Sequence, residues 1–74
     1  MKPEEIRRHL LRRPFSPFEI TILDGERYVI GHPENLVVRE TYVFVAEDTD
    51  WAIFHPDSVV SIRSARNARG RVRR

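Results

Sequence analysis

Phe18-Glu19-Ile20-Thr21-Ile22-Leu23-Asp24-Gly25-Glu26-Arg27-Tyr28-Val29-Ile30 is the stretch on which the fold turns. Residues 18, 20 and 22 share one face and the polar residues 19 and 21 share the other, the period-2 signature of a half-buried strand. Asp24-Gly25 supplies the positive-φ positions that a tight hairpin turn needs, and Glu26 to Ile30 returns with Tyr28 and Ile30 in alternation. A lone hairpin cannot bury its apolar face, so the rest of the chain must cover it.

Toward the N-terminus, Pro3-Glu4-Glu5 reads as a helix start, because proline is pre-organised for the first turn and the carboxylates complement its free amide donors. Ile6, Leu10 and Leu11 make a narrow apolar stripe with Arg7, Arg8, Arg12 and Arg13 around it. Pro14 disfavours helical geometry at Arg13 and stops the helix. Phe15-Ser16-Pro17-Phe18 is a stiff extended segment whose two aromatics are expected to anchor the helix on the sheet.

Toward the C-terminus, Gly31-His32-Pro33-Glu34-Asn35 marks a bulge or sharp bend, and Leu36-Val37-Val38 resumes as the bent continuation of the second strand. After the polar turn Arg39-Glu40, Thr41 to Ala46 has the strongest β-propensity and is expected to form a central, covered strand. Glu47-Asp48-Thr49-Asp50 is an acidic loop, Trp51 to Phe54 a further strand, His55-Pro56-Asp57-Ser58 a break, and Val59 to Ile62 the last strand. Trp51, opening a strand beside Ala52, Ile53 and Phe54, is predicted to be largely buried. The expected fold is mainly β: one N-terminal α-helix on a small, bent, five-stranded SH3-like barrel, closed partly to protect its edges. Residues 1–63 form its single domain, and 64–74, rich in arginine and poor in apolar side chains, are expected to be a disordered basic tail.

A chain of 74 residues has room for one domain and little room for a deep catalytic cleft. It has no cysteine, so neither a disulfide nor a thiolate metal site holds it together. No apolar run approaches the ~20 residues of a membrane span, and Glu4 and Glu5 stand where a signal peptide would be basic and then apolar. A soluble, cytoplasmic protein with no membrane partner is expected.

Charge is segregated along the sequence. Residues 1–13 carry a net +3, residues 14–62 a net −7, and residues 63–74 a net +6, which together give the overall +2. The body is acidic and both ends are basic, so electrostatic attraction to a polyanion belongs to the ends.

The motifs argue against catalysis. Glu47, Asp48 and Asp50 lack the glycine and terminal glutamate of a calcium loop. His32 and His55 sit in separate loops, with only His9, Glu34 or Asp57 as a conceivable third metal ligand, so no metal is expected. Ser16, Ser58, Ser61 and Ser64 are not in a nucleophile-elbow context, and no glycine-rich phosphate loop occurs. No enzyme activity, catalytic residue or cofactor is therefore expected.

The run from Leu10 through Pro14-Phe15-Ser16-Pro17-Phe18, then Asp24-Gly25 and His32-Pro33-Glu34, resembles a group of short uncharacterised bacterial proteins with the same order of motifs. That resemblance covers about half the chain and implies no particular activity. A second resemblance is to Sm-like proteins, including the bacterial RNA chaperone of that fold, carried by the short helix, the strand ending in Asp24-Gly25, Asn35-Leu36-Val37, and Ile53-Phe54-His55 followed by Val59-Val60. It implies an Sm-like barrel, and RNA contacts at Asn35 and His55. The interval from Asp24-Gly25 to Asn35 is shorter than in Sm proteins, and the aspartate that accompanies their base-binding asparagine is absent. The resemblance therefore supports the fold more than RNA binding.

The function expected from the sequence is a small non-enzymatic binding module that takes RNA or DNA through its basic ends. Its candidate contacts are Arg7, Arg8, Arg12, Arg13, Asn35, His55, Arg63, Arg66, Arg69, Arg71, Arg73 and Arg74. The plainer account of the N-terminal arginines is that they suit the negative end of their helix. The binding module is expected to form a homo-oligomer through exposed strand edges, and the alternative function is a protein-interaction adaptor that uses the acidic barrel surface or an open strand edge.

Overall fold

The computed structural model describes residues 1–65. The chain folds as one helix, α1 (Pro3–Leu10), and six strands: β1 (Phe18–Ile22), β2 (Arg27–Ile30), β3 (Leu36–Val38), β4 (Val43–Ala46), β5 (Trp51–Phe54) and β6 (Val59–Ser64). The strands form two antiparallel three-stranded sheets, ordered β2-β1-β6 and β3-β4-β5. The protein is thus mainly β with one N-terminal helix. Among the described residues no ladder joins the two sheets into a closed barrel, and six strands stand where five were expected. The extra strand arises because Gly31 to Asn35 does more than bend the second strand: Pro33–Asn35 winds into a 3-10 turn, which separates β2 from β3.

The hairpin forms as its residues dictate. Gly25 takes φ +94°, its N–H donates to the Ile22 carbonyl at 2.9 Å, and Glu26 N–H donates to the Asp24 carboxylate at 2.9 Å. Asp24 itself keeps a negative φ, so the glycine alone supplies the left-handed position expected of the pair. Pairing then runs from Phe18 opposite Ile30 to Thr21 opposite Arg27.

The two changes of sheet use the same local device. Each is a His-Pro-acid sequence in which proline opens a 3-10 turn and the next strand begins on a buried apolar residue, Leu36 after Pro33–Asn35 and Val59 after Pro56–Ser58. The core lies between the sheets, with Phe18, Ile20 and Ile30 from one side and Leu36, Val43 and Val45 from the other. Tyr28 and Phe54 stack across the gap, with ring centroids 5.5 Å apart.

An isolated eight-residue helix is unstable in water, so α1 owes its existence to docking. Ile6 is wholly buried, Met1 and Leu10 pack beside it, and the helix lies against β3. Lys2 N–H donates to the Glu5 carboxylate at 3.3 Å at the start of α1. The helix stops at Leu10, with the Leu11 N–H still bonded to Arg7 O, so Arg12 and Arg13 stand beyond it and Leu11 is exposed. The Arg13-Pro14 peptide is cis.

Two expectations about burial are corrected. Trp51 is 62% exposed, because β5 alternates and turns Ala52 and Phe54 inward while Trp51 and Ile53 face out. Likewise β4 is the central strand of its sheet, yet only Val43 and Val45 are buried. The domain boundary expected at 63 also falls inside the sheet. Ser64 pairs with Phe18, and Ala65 is buried with its N–H on Pro17 O at 3.1 Å. The remainder of the expected tail, residues 66–74, lies outside the described residues. Among the described residues no helix is long and apolar enough to cross a membrane.

Candidate nucleic-acid interface

Pairing of β6 with β1 brings Arg63 beside the segment that leaves α1 and carries Arg12. The register Phe18 to Ser64, Glu19 to Arg63 and Ile20 to Ile62 fixes the C-terminal strand beside the segment that leaves α1, and the Ala65–Pro17 hydrogen bond closes the junction. A cavity of about 320 Å³ opens there, lined by His9, Arg12, Ser16, Pro17, Phe18, Ile62, Arg63 and Ser64. Phe18, the buried member of the lining, holds the His9 ring at 5.4 Å and, outside the cavity lining, the Phe15 ring at 6.0 Å, edge-on. The lining includes Arg12 and Arg63, whose guanidinium groups are donors suited to an anion.

The electrostatics agree with the lining. The His9 pKa lies below its ordinary 6.5, first because of partial burial and then because of the positive charges of Arg12 and Arg8. The salt bridges among the described residues are Arg7 to Glu40 and His55 to Asp57, so neither Arg12 nor Arg63 has a carboxylate partner there. Glu19, paired in register with Arg63, is buried and engaged.

The remaining sequence candidates scatter. Arg7 forms an ion pair with Glu40 at 3.6 Å, tying α1 to the turn between β3 and β4. Arg8 is exposed on α1, and Arg13 folds back to donate to Arg12 O at 3.0 Å. His55 caps the second 3-10 turn: its Nδ1 accepts the Asp57 N–H at 3.0 Å, which gives the residue a local structural task. Arg66, Arg69, Arg71, Arg73 and Arg74 lie outside the described residues.

Asn35 lines a different, open cavity of about 500 Å³, together with Arg27, Val29, Gly31, His32, Ala46, Glu47 and Asp48. The potential around that end of the sheets is negative. Tyr28 has its pKa raised first by burial and then by Glu26, Asp24, Glu47 and Asp50, so the two acidic turns converge on it. A polyanion is repelled from such a rim, and among the described residues none of the candidate arginines lines this cavity, whose arginine is Arg27.

Sequence reasoning missed His9, Ser16 and Ser64 as members of the basic cavity. The only local sign of it was the i, i+3 spacing of His9 and Arg12, and the helix ends between them. Among the described residues no three histidine, aspartate or glutamate side chains gather as metal ligands. Comparison with protein-family models, curated proteins and solved structures finds no match to this chain.

Proposed function

We propose that the chain is a small, non-enzymatic, cytoplasmic binding module that takes the phosphate backbone of nucleic acid in the cavity between α1 and β6. The observation that carries this is the meeting of Arg12 and Arg63, from opposite ends of the body, on one cavity beside His9. Phosphate recognition is sequence-independent and needs cations and donors on one surface, and the acidic body concentrates attraction on that surface. Arg8, whose charge reaches His9, adds to the same field.

We also read the two sheets as the halves of one bent barrel of SH3-like or Sm-like type, with β2 and β3 as a single interrupted strand. Support comes from the strand order, which then runs β6-β1-β2/β3-β4-β5 without a break.

The test is titration of the full chain with single-stranded RNA and with duplex DNA at two salt concentrations. Affinity should fall steeply with salt. The double variant Arg12→Gln, Arg63→Gln should flatten the duplex slope by about 0.9 for each phosphate no longer neutralised. Failure to bind either nucleic acid at low salt would remove the reading.

A second reading, a protein-interaction adaptor, draws on a specific feature. Among the described residues β2, β6, β3 and β5 each pair on one side only, which leaves backbone donors and acceptors for a strand of another chain. A protein partner that is retained after nuclease treatment, and lost when an edge strand is blocked by proline, would favour it.

A further inference from the structure

Among the described residues, the outer side of the β3-β4-β5 sheet presents apolar side chains with nothing over them. Val37 faces Phe44 across one ladder, Phe44 faces Ile53 across the next, and Trp51 opposite Ala46 adds an indole that stacks on Phe44 at 6.1 Å. Trp51 is 62% and Ile53 55% exposed, and no charged residue belongs to this group of five. We propose that this face is where a second copy of the chain docks, giving a two-fold symmetric dimer.

Three features select a copy of the same chain. A two-fold interface must be self-complementary, since each residue type meets its own surface again. The row Val37, Phe44, Ile53 is aliphatic, aromatic, aliphatic, so a two-fold axis at Phe44 on the central strand sets aliphatic against aliphatic whichever way the row is turned. Charge is the second feature: residues 14–62 carry a net −7, and a contact through these five uncharged residues sets none of that charge face to face. Area is the third. The exposed parts of Val37, Trp51 and Ile53 amount to about 300 Å² when large side chains present roughly 150–250 Å² each, with half-buried Phe44 between them. A standard interface buries about 800 Å² per partner with little more than half of it apolar, so this patch fills the centre and leaves a polar rim.

Sedimentation equilibrium of the full chain, freed of nucleic acid by nuclease and high salt, tests the proposal. A reversible monomer–dimer equilibrium is expected that holds or strengthens as salt is raised, since salt screens the repulsion between the acidic bodies and does not weaken apolar contact. Trp51→Ser and Ile53→Thr should each weaken association at least tenfold with an unchanged circular dichroism spectrum. Leu23→Ser, at the hairpin turn and 73% exposed, should leave it unchanged. A monomer at every concentration up to millimolar would overturn the proposal. So would a dimer that ignores both face substitutions, or one that dissolves in salt.

Discussion

The rings of Tyr28 and Phe54 stack at 5.5 Å with planes 23° apart, and they belong to different sheets. With no hydrogen-bond ladder between the sheets among the described residues, side-chain contacts of this kind carry the coupling there. A double-mutant cycle with Tyr28→Leu and Phe54→Leu, followed by urea unfolding, should give a coupling of about 0.5–1.5 kcal/mol. A coupling near zero would show that the two sheets are joined by the aliphatic core alone.

Ile6 is the only buried residue of α1. Ile6→Ala should cost about 2–5 kcal/mol and undock the helix, because the removed methyl groups leave a cavity at a site with no exposure. Arg7→Gln removes the pair with Glu40, whose side chain is 82% exposed, and should cost less than about 1 kcal/mol. Thermal or urea unfolding of both variants checks the ordering.

Trp51→Ala should cost about 1 kcal/mol in the dilute monomer, through removal of the stack on Phe44. The value for a buried tryptophan is about 3–5 kcal/mol. An unfolding free energy lowered by that larger amount would mean that the indole is covered in solution.

How much could be read from residues alone follows from the same strand. Period-2 alternation is legible where one face is polar, as in Phe18 to Ile22, and there the buried set is the expected one, apart from Glu19, which is buried as well. Trp51-Ala52-Ile53-Phe54 has no polar face, so the alternation leaves open which side is covered, and packing against Val43 and Val45 decides it. The hairpin at Gly25 and the break at Pro33 were legible because glycine and proline restrict the backbone locally. The basic cavity was legible only as residue types. Arg12 and Arg63 meet through the β1–β6 register, a long-range pairing that no local pattern announces.

His9 gives the cavity a pH dependence with a defined sign. Its folded-state pKa is lowered, so its contribution to stability is present above 6.5 and is lost as pH falls through the folded value. Anion binding should run the other way. A phosphate beside the ring favours the imidazolium, so affinity for nucleic acid should tighten as pH falls from above 6.5 toward the lowered folded value, and His9→Gln should abolish that change while leaving the salt dependence in place. Binding isotherms on either side of that pH decide it.

His55 should matter to the turn rather than to a ligand. His55→Ala leaves the Asp57 N–H without its acceptor and should cost about 1 kcal/mol, whereas His55→Asn restores an acceptor and should recover most of it. Equal losses from the two variants, with parallel loss of nucleic-acid affinity, would move His55 to the interface.

The exposed position of Trp51 decides what light emission from this protein reports. The chain has one tryptophan, and it stands on an outer face beside Phe44 instead of in the core. Its indole is already wet in the folded monomer, so unfolding should shift its fluorescence little, and a melt followed that way would record almost nothing of the loss of Val43 and Ile20 packing. The same fluorophore should move sharply to the blue when anything covers that sheet. In this molecule intrinsic fluorescence is an assay of contact, and far-ultraviolet dichroism is the assay of folding.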